Sequence, residues 1–219
     1  MIPDVRIQQV APFTIELQFE RRIDPAVHNR VMRCAEALSD SAMRGIDSVF
    51  ITYHSVGIHL RESAPSDFIR SLTLWVENWR RQDGIASRSE SPSQTMHRIP
   101  VRFGGTDGPD LSELARFAHM TEEDVVRMFC EPEYRVYMTG FIGGFPYLGM
   151  VPEPLRIPRK AQPRKRVAAG SVGIASFQAG IYPVETPGGW TLIGRTDVAL
   201  SSLDLKPGDS IRFTEARRD

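Results

Sequence analysis

The sequence predicts an α+β protein, with an N-terminal ferredoxin-like α/β sandwich followed by a β-barrel. Three observations carry this. Residues 1–82 alternate between strand and helix periods in the order β-α-β-β-α, and residues 83–97 break every period. From Tyr134 onward, short β-like runs recur between Gly and Pro turns without any helical spacing. The predicted organisation is an N-terminal α+β domain over 1–82, a linker over 83–97 and a C-terminal barrel domain over 98–219.

The elements follow in chain order. Ile15, Leu17 and Phe19 alternate with polar neighbours, as in a half-buried strand. Asp24-Pro25 supplies an N-cap and an N1 proline, and Val27, Val31, Ala35 and Leu38 continue at helical spacing. Residues 49–53 and 56–60 read as two short strands. Phe68, Leu72, Trp75, Val76 and Trp79 then mark a second amphipathic helix. A last strand is expected to complete a split βαβ unit, and residues 99–103 are the candidate. The polar run DGIASRSESPSQTMH is the predicted linker. Asp110 is expected to cap a short helix carrying Leu111, Leu114, Ala115 and Ala118, and Thr121 with Asp124 forms a capping-box pattern before Val125, Val126 and Phe129. Beyond it, residues 135–138, 172–177, 191–193 and 210–213 read as strands of a barrel or sandwich.

Composition excludes several function classes. The 27 Lys+Arg balance 27 Asp+Glu, so the whole chain has no electrostatic reason to seek nucleic acid or an anionic membrane. Cys34 and Cys130 stand alone without CxxC spacing, which argues against a zinc site or a disulfide framework and suits a reducing cytoplasm. The opening MIPDVRIQQV lacks a basic region followed by an apolar run, so no secretory leader is expected, and no apolar stretch reaches the ~20 residues of a membrane span.

Function is expected to lie in residues 140–195, which hold ten of the 17 glycines and seven of the 16 prolines. Such a density predicts shaped loops rather than ladder. The same window carries Arg156, Arg159, Lys160, Arg164, Lys165, Arg166 and Arg195 against only Glu153 and Glu185. Positive charge concentrated in a neutral chain points to an anionic ligand or an acidic partner. Arg195, beside Gly194 and an apolar strand, reads as a residue at a pocket mouth, and Trp190 and Tyr182 read as core aromatics able to stack on a ligand. No P-loop, HExxH or paired-histidine spacing occurs, so no metal site is expected. AGSVG around Ser171 resembles a nucleophile elbow, but β-like sequence follows it and the last histidine is His119, so a serine hydrolase is excluded.

A set of motifs resembles one family. These are Ile99-Pro100-Val101, Gly108-Pro109-Asp110-Leu111, GFIGGFPYLG from 140 to 149, Pro158-Arg159 with Pro163-Arg164, AAGSVGIA from 168 to 175, QAGIYP from 178 to 183, PGGWTLIGRT from 187 to 196 and Pro207-Gly208-Asp209. Together, in order over about 98–213, they resemble the KipI/PxpB family, also called allophanate hydrolase subunit 1. The resemblance implies a cyclophilin-like C-terminal barrel. It implies the B subunit of an ATP-dependent 5-oxoprolinase, working with a C subunit of the KipA (allophanate hydrolase subunit 2) family and with an A subunit. ATP, with Mg2+, is expected at a site shared with the C subunit. The alternatives it brings are an inhibitor of a sensor histidine kinase and a subunit for hydrolysis of amide or urea derivatives, since related domains occur in urea carboxylase. Phe129 stands where the family carries a histidine, and Gly143 where it carries a proline.

The expected site follows from both readings. Arg195, Gln178 and Tyr182 form the catalytic group. Arg159, Arg164 and Arg166 hold the substrate or a phosphate, Trp190 stacks, and Gly143 and Gly144 let backbone N–H groups approach.

Overall fold

The structure is a computed structural model that describes residues 5–63, 66–86 and 95–216. The chain divides into two compact units, Met1–Pro92 and Ser93–Asp219.

In the first unit, β1 (Arg6–Ala11) and β2 (Thr14–Gln18) form an antiparallel hairpin. Helix α1 (Pro25–Ser39) follows, then β3 (Ile46–Ile51), β4 (Ser55–Leu60) and α2 (Ser66–Ala86). The helix start is written in Asp24-Pro25: Asp24 Oδ1 accepts the N–H groups of Ala26 and Val27, and Pro25 enters with its φ preset. The sheet order is β1-β2-β4-β3, so β4 lies between the two strands that α1 connects, as in a split βαβ unit. Ile15, Leu17, Val56 and Ile58 from the sheet and Val31, Cys34, Leu38, Leu72 and Val76 from the helices form its core.

Two expectations fail here. The strand completing this sheet comes from before β2, as β1, and residues 99–103 belong to the other unit. A strand's period announces that it is a strand, whereas its partner is set by tertiary pairing. The predicted linker is also too wide. Helix α2 continues through Ala86, with Asp83 buried and bound to Arg30 and Arg33 of α1, and the next strand begins at Met96. The middle of that linker, residues 87–94, lies outside the described residues.

In the second unit, β5 (Met96–Phe103) leads to α3 (Leu111–Ala118) and α4 (Glu122–Cys130). Thr121 caps α4, its Oγ1 accepting the Asp124 N–H. Then come β6 (Tyr134–Gly140), β7 (Phe145–Gly149), β8 (Arg164–Val167), β9 (Ser171–Ala175), β10 (Gln178–Ile181), β11 (Thr186–Gly188), β12 (Thr191–Arg195) and β13 (Ser210–Glu215), with short 3-10 turns at Glu153–Leu155 and Leu200–Ser202. Seven strands close a barrel in the order β10-β7-β6-β13-β5-β12-β9, while β8 and β11 pair separately. The barrel is antiparallel except where β13 runs parallel to β5. Ile99, Val101, Val136, Leu148, Val172, Ile174, Ala179, Ile181, Ile193, Ile211 and Phe213 share one core with the apolar faces of α3 and α4.

The stretch from 140 to 195 is therefore not a run of loops. It contributes six strands, because glycine here also serves close packing within the sheet. Among the described residues no helix is long and apolar enough to cross a membrane.

Candidate functional site

Strand alternation creates the site. Along β7, β9, β10 and β12 the interior takes Leu148, Ile174, Ala179 and Ile193, so Phe145, Tyr147, Gly173, Gly180 and Leu192 face outward. On that outer face Phe145, Tyr182, Trp190, Leu192, Ala175 and Val167 form a second apolar cluster, with Tyr147 packed against it. Phe145 is its hub: its ring centroid lies 5.0 Å from Tyr147, 5.1 Å from Trp190 and 5.2 Å from Tyr182, each edge to face. The ring lies over Gly180, where a Cβ would stand 2.3 Å from Phe145 Cζ. Only glycine lets the aromatic lie this close to β10.

A cleft of about 160 Å3 opens beside the cluster. Phe141, Phe145, Tyr147, Trp190, Tyr182, Pro187 and Gly188 line its apolar part, and Arg159 and Gln178 supply its polar groups. Four residues expected from sequence thus meet: Arg159, Gln178, Tyr182 and Trp190. Burial pushes the Tyr182 phenol up, against the Trp190 N–H bonded to its oxygen and the fields of Arg159 and Arg164. Burial likewise raises Tyr147, with Arg159 opposing. Both phenols stay protonated at neutral pH and act as hydrogen-bond donors rather than bases.

The other expected residues go elsewhere. Arg164 donates to Asp110 Oδ1 at 2.6 Å, and Arg166 pairs with Glu185 on the surface. Arg195 donates from Nε to the Ala169 carbonyl at 3.0 Å and does not line the cleft. Arg156 donates to the Val151 carbonyl. Of the five arginines between 140 and 195, Arg159 is the one that both lines the cleft and has no carboxylate partner among the described residues. Gly143 and Gly144 form the β6–β7 turn with φ of 55° and 79°, and Phe141 just before them is 70% exposed. Neither glycine lines the cleft, and the turn they make follows Phe141, which does.

Two family motifs are structural. Asp110 does not cap α3, since its side chain makes no hydrogen bond to the helix's first turn. Its carboxylate accepts instead from the Leu192 N–H at 2.7 Å, from Arg164 and from Lys160 Nζ at 3.1 Å. Burial would raise the Asp110 pKa, but the bonds from Arg164, Leu192 and Lys160 hold the carboxyl below its usual range. Asp209 takes the N–H groups of Thr95 and Lys206 and faces His97 Nε2 at 3.2 Å, tying the start of β13 to that of β5. Phe129 is fully buried against Phe213, Tyr134 and Phe103, apart from the cleft. Ser171 opens β9 opposite Arg195, so no nucleophile elbow exists there. Burial pushes the Cys34 thiol up to about 12 and the Cys130 thiol up to about 11, as for packing residues.

Sequence reading missed Phe145, Tyr147 and Asp110 as site builders. The pair of aromatics two residues apart, Phe145 and Tyr147, was the one signal for the first two. Among the described residues no group of three or more His, Cys, Asp or Glu gathers as metal ligands.

A split βαβ unit followed along the chain by a closed barrel has known counterparts. Residues 5–208 match the family described as Carboxyltransferase domain, subdomain C and D. The fold is shared with the crystal structure of TTHA0988, at a TM-score of 0.75 and 33% identity over 94% of this chain, which spans 40% of that longer chain. It is shared with Kluyveromyces lactis urea amidolyase at a TM-score of 0.77, where 19% identity shows the fold alone over 15% of that chain. The 5-oxoprolinase B subunit of Escherichia coli O157:H7 is 37% identical over 216 residues, covering 95% of this chain and 94% of that one. Its Bacillus subtilis counterpart is 35% identical over 223 residues, covering 95% and 91%. The chain belongs to the family of 5-oxoprolinase B subunits (KipI/PxpB).

Proposed function

We propose that this chain is the B subunit of an ATP-dependent 5-oxoprolinase, acting with the C and A subunits to open 5-oxoproline to glutamate in the cytoplasm. The similarity to 5-oxoprolinase B subunits along nearly the whole length of both chains is the observation that carries the reading. The site agrees with a partial role. It offers a guanidinium, a carboxamide and two protonated phenols, but no activated nucleophile and, among the described residues, no metal donor set. With no nucleophile of its own, such a site calls for the lactam carbonyl to be activated from outside. Transfer of the ATP γ-phosphoryl group to the lactam oxygen releases ADP; attack of one water at the carbonyl carbon with cleavage of its bond to nitrogen then leaves the acyl phosphate of glutamate, and a second water hydrolyses it to glutamate and phosphate. Such a transfer asks the protein for positioning and positive charge more than for a covalent catalyst.

Reconstitution tests it. The purified chain mixed with the A and C subunits should release glutamate and phosphate from 5-oxoproline and ATP, and omission of this chain should stop both. An assembled complex without 5-oxoproline-dependent ATP hydrolysis would refute the assignment.

A further inference from the structure

We infer that the cleft on the outer face of the barrel is the lactam's own binding site, and that the nucleotide binds outside it. The inference rests on the reading of the chain as part of a 5-oxoprolinase and adds a division of labour: this chain recognises a small cyclic monocarboxylic acid, and another surface recognises ATP.

Size argues first. The cleft's volume of about 160 Å3 is close to the ~150 Å3 in which a buried apolar site holds a single benzene ring. A five-membered lactam fits such a space. Clefts for larger ligands run to roughly 300–1,000 Å3, and a nucleoside triphosphate needs at least that.

Chemistry argues second. The walls are flat and apolar, with Phe145, Tyr147, Trp190 and Tyr182 set edge to face, which suits a small ring. The anion-recognising capacity is one guanidinium, Arg159. Arg156, Arg164, Arg166 and Arg195 are bound to protein acceptors, so the arrangement matches one carboxylate rather than a chain of phosphates. Gln178 lines the same cleft. The phenols of Tyr147 and Tyr182, which line the same cleft, add O–H donors suited to a lactam oxygen.

Position argues third. Lys160, the neighbour of Arg159, donates its backbone N–H to the Gly189 carbonyl at 2.8 Å and its ammonium to Asp110, which also holds the Leu192 N–H. The segment bearing the guanidinium and the strand following Trp190 are thereby fixed to one carboxylate, so the cation and the aromatic wall keep their spacing without ligand.

Equilibrium dialysis of the full chain alone against labelled 5-oxoproline tests the inference. Saturable binding is expected, with 2-pyrrolidinone, which lacks the carboxylate, about 10- to 100-fold weaker. Arg159→Gln should weaken 5-oxoproline by a similar factor and leave 2-pyrrolidinone unchanged, a split that a folding defect would not produce. ATP should neither bind in the cleft nor displace the lactam. Displacement by ATP, equal affinity of the variant and the parent for 5-oxoproline, or no lactam binding by a chain whose assembled complex turns over 5-oxoproline would each overturn it. Loss of turnover in the assembled complex refutes the wider reading instead, and the two failures are told apart by which assay goes silent.

Discussion

Asp110 shows how far one residue's role is decided by tertiary context. Its place before Leu111 is that of a helix cap, yet its carboxylate serves β12, Arg164 and Lys160. Asp110→Ala should lower stability by about 2–3 kcal/mol, the value of charge-assisted hydrogen bonds rather than of a sealed ion pair, because Arg164 and Lys160 are 30% and 19% exposed and can rehydrate. The pH dependence has a definite sign. A carboxyl whose folded pKa is held below its unfolded value stabilises the fold above the unfolded value, near 3.9, and that contribution fades as pH falls toward the folded one. Thermal melting between pH 7 and pH 3 should show an acid-induced loss in the parent that is smaller in Asp110→Asn; parallel curves would contradict this. The sequence marked Asp110 as structural but directed it to the wrong partner. It likewise grouped Arg159 with Arg164 and Arg166 as substrate- or phosphate-binding, without separating it from the two that the fold binds to Asp110 and Glu185, since that distinction depends on contacts between segments distant in the chain.

At the scale of the element, legibility followed the strength of the local period. Helix α1 was readable to its cap, because Asp24-Pro25 and the spacing of Val27, Val31 and Leu38 agree. Strands β7 and β10 were not, because Gly and Pro in Phe145–Gly149 and Gln178–Ile181 disguise the alternation that packing then enforces. Strand β5 was found and placed in the wrong sheet. Gly180 on β10 shows what the glycines are for. With Phe145 Cζ 2.3 Å and Cε1 2.6 Å from the place of a Cβ, Gly180→Ala must push the ring off the strand, at a cost of about 1–3 kcal/mol for overpacking. The displaced ring would also deform the cleft it lines. Phe145→Leu in the same chain should recover much of the stability, giving non-additive denaturation midpoints, while the aromatic wall and lactam affinity stay lost. Additive midpoints would show that Gly180 answers to something other than Phe145.

For the whole molecule, the balance of 27 basic and 27 acidic residues conceals local pairing within the barrel unit: Asp110 binds Arg164 and Lys160, Glu113 binds Lys160, and Glu185 binds Arg166. A divalent cation needs several free oxygen ligands, and the described residues gather no such set. On the proposed ATP-driven reaction, metal dependence is expected to enter with the nucleotide phosphates, so it should divide between the chain alone and the assembly. A chelator should leave the melting temperature of the isolated chain and its 5-oxoproline affinity unchanged, and should stop 5-oxoproline-dependent ATP hydrolysis by the full complex. A fall in the melting temperature of the isolated chain by more than about 2 °C on chelation would reveal a metal that stabilises its fold. In that case the neutral balance of the sequence would conceal a site in residues other than those that line the cleft.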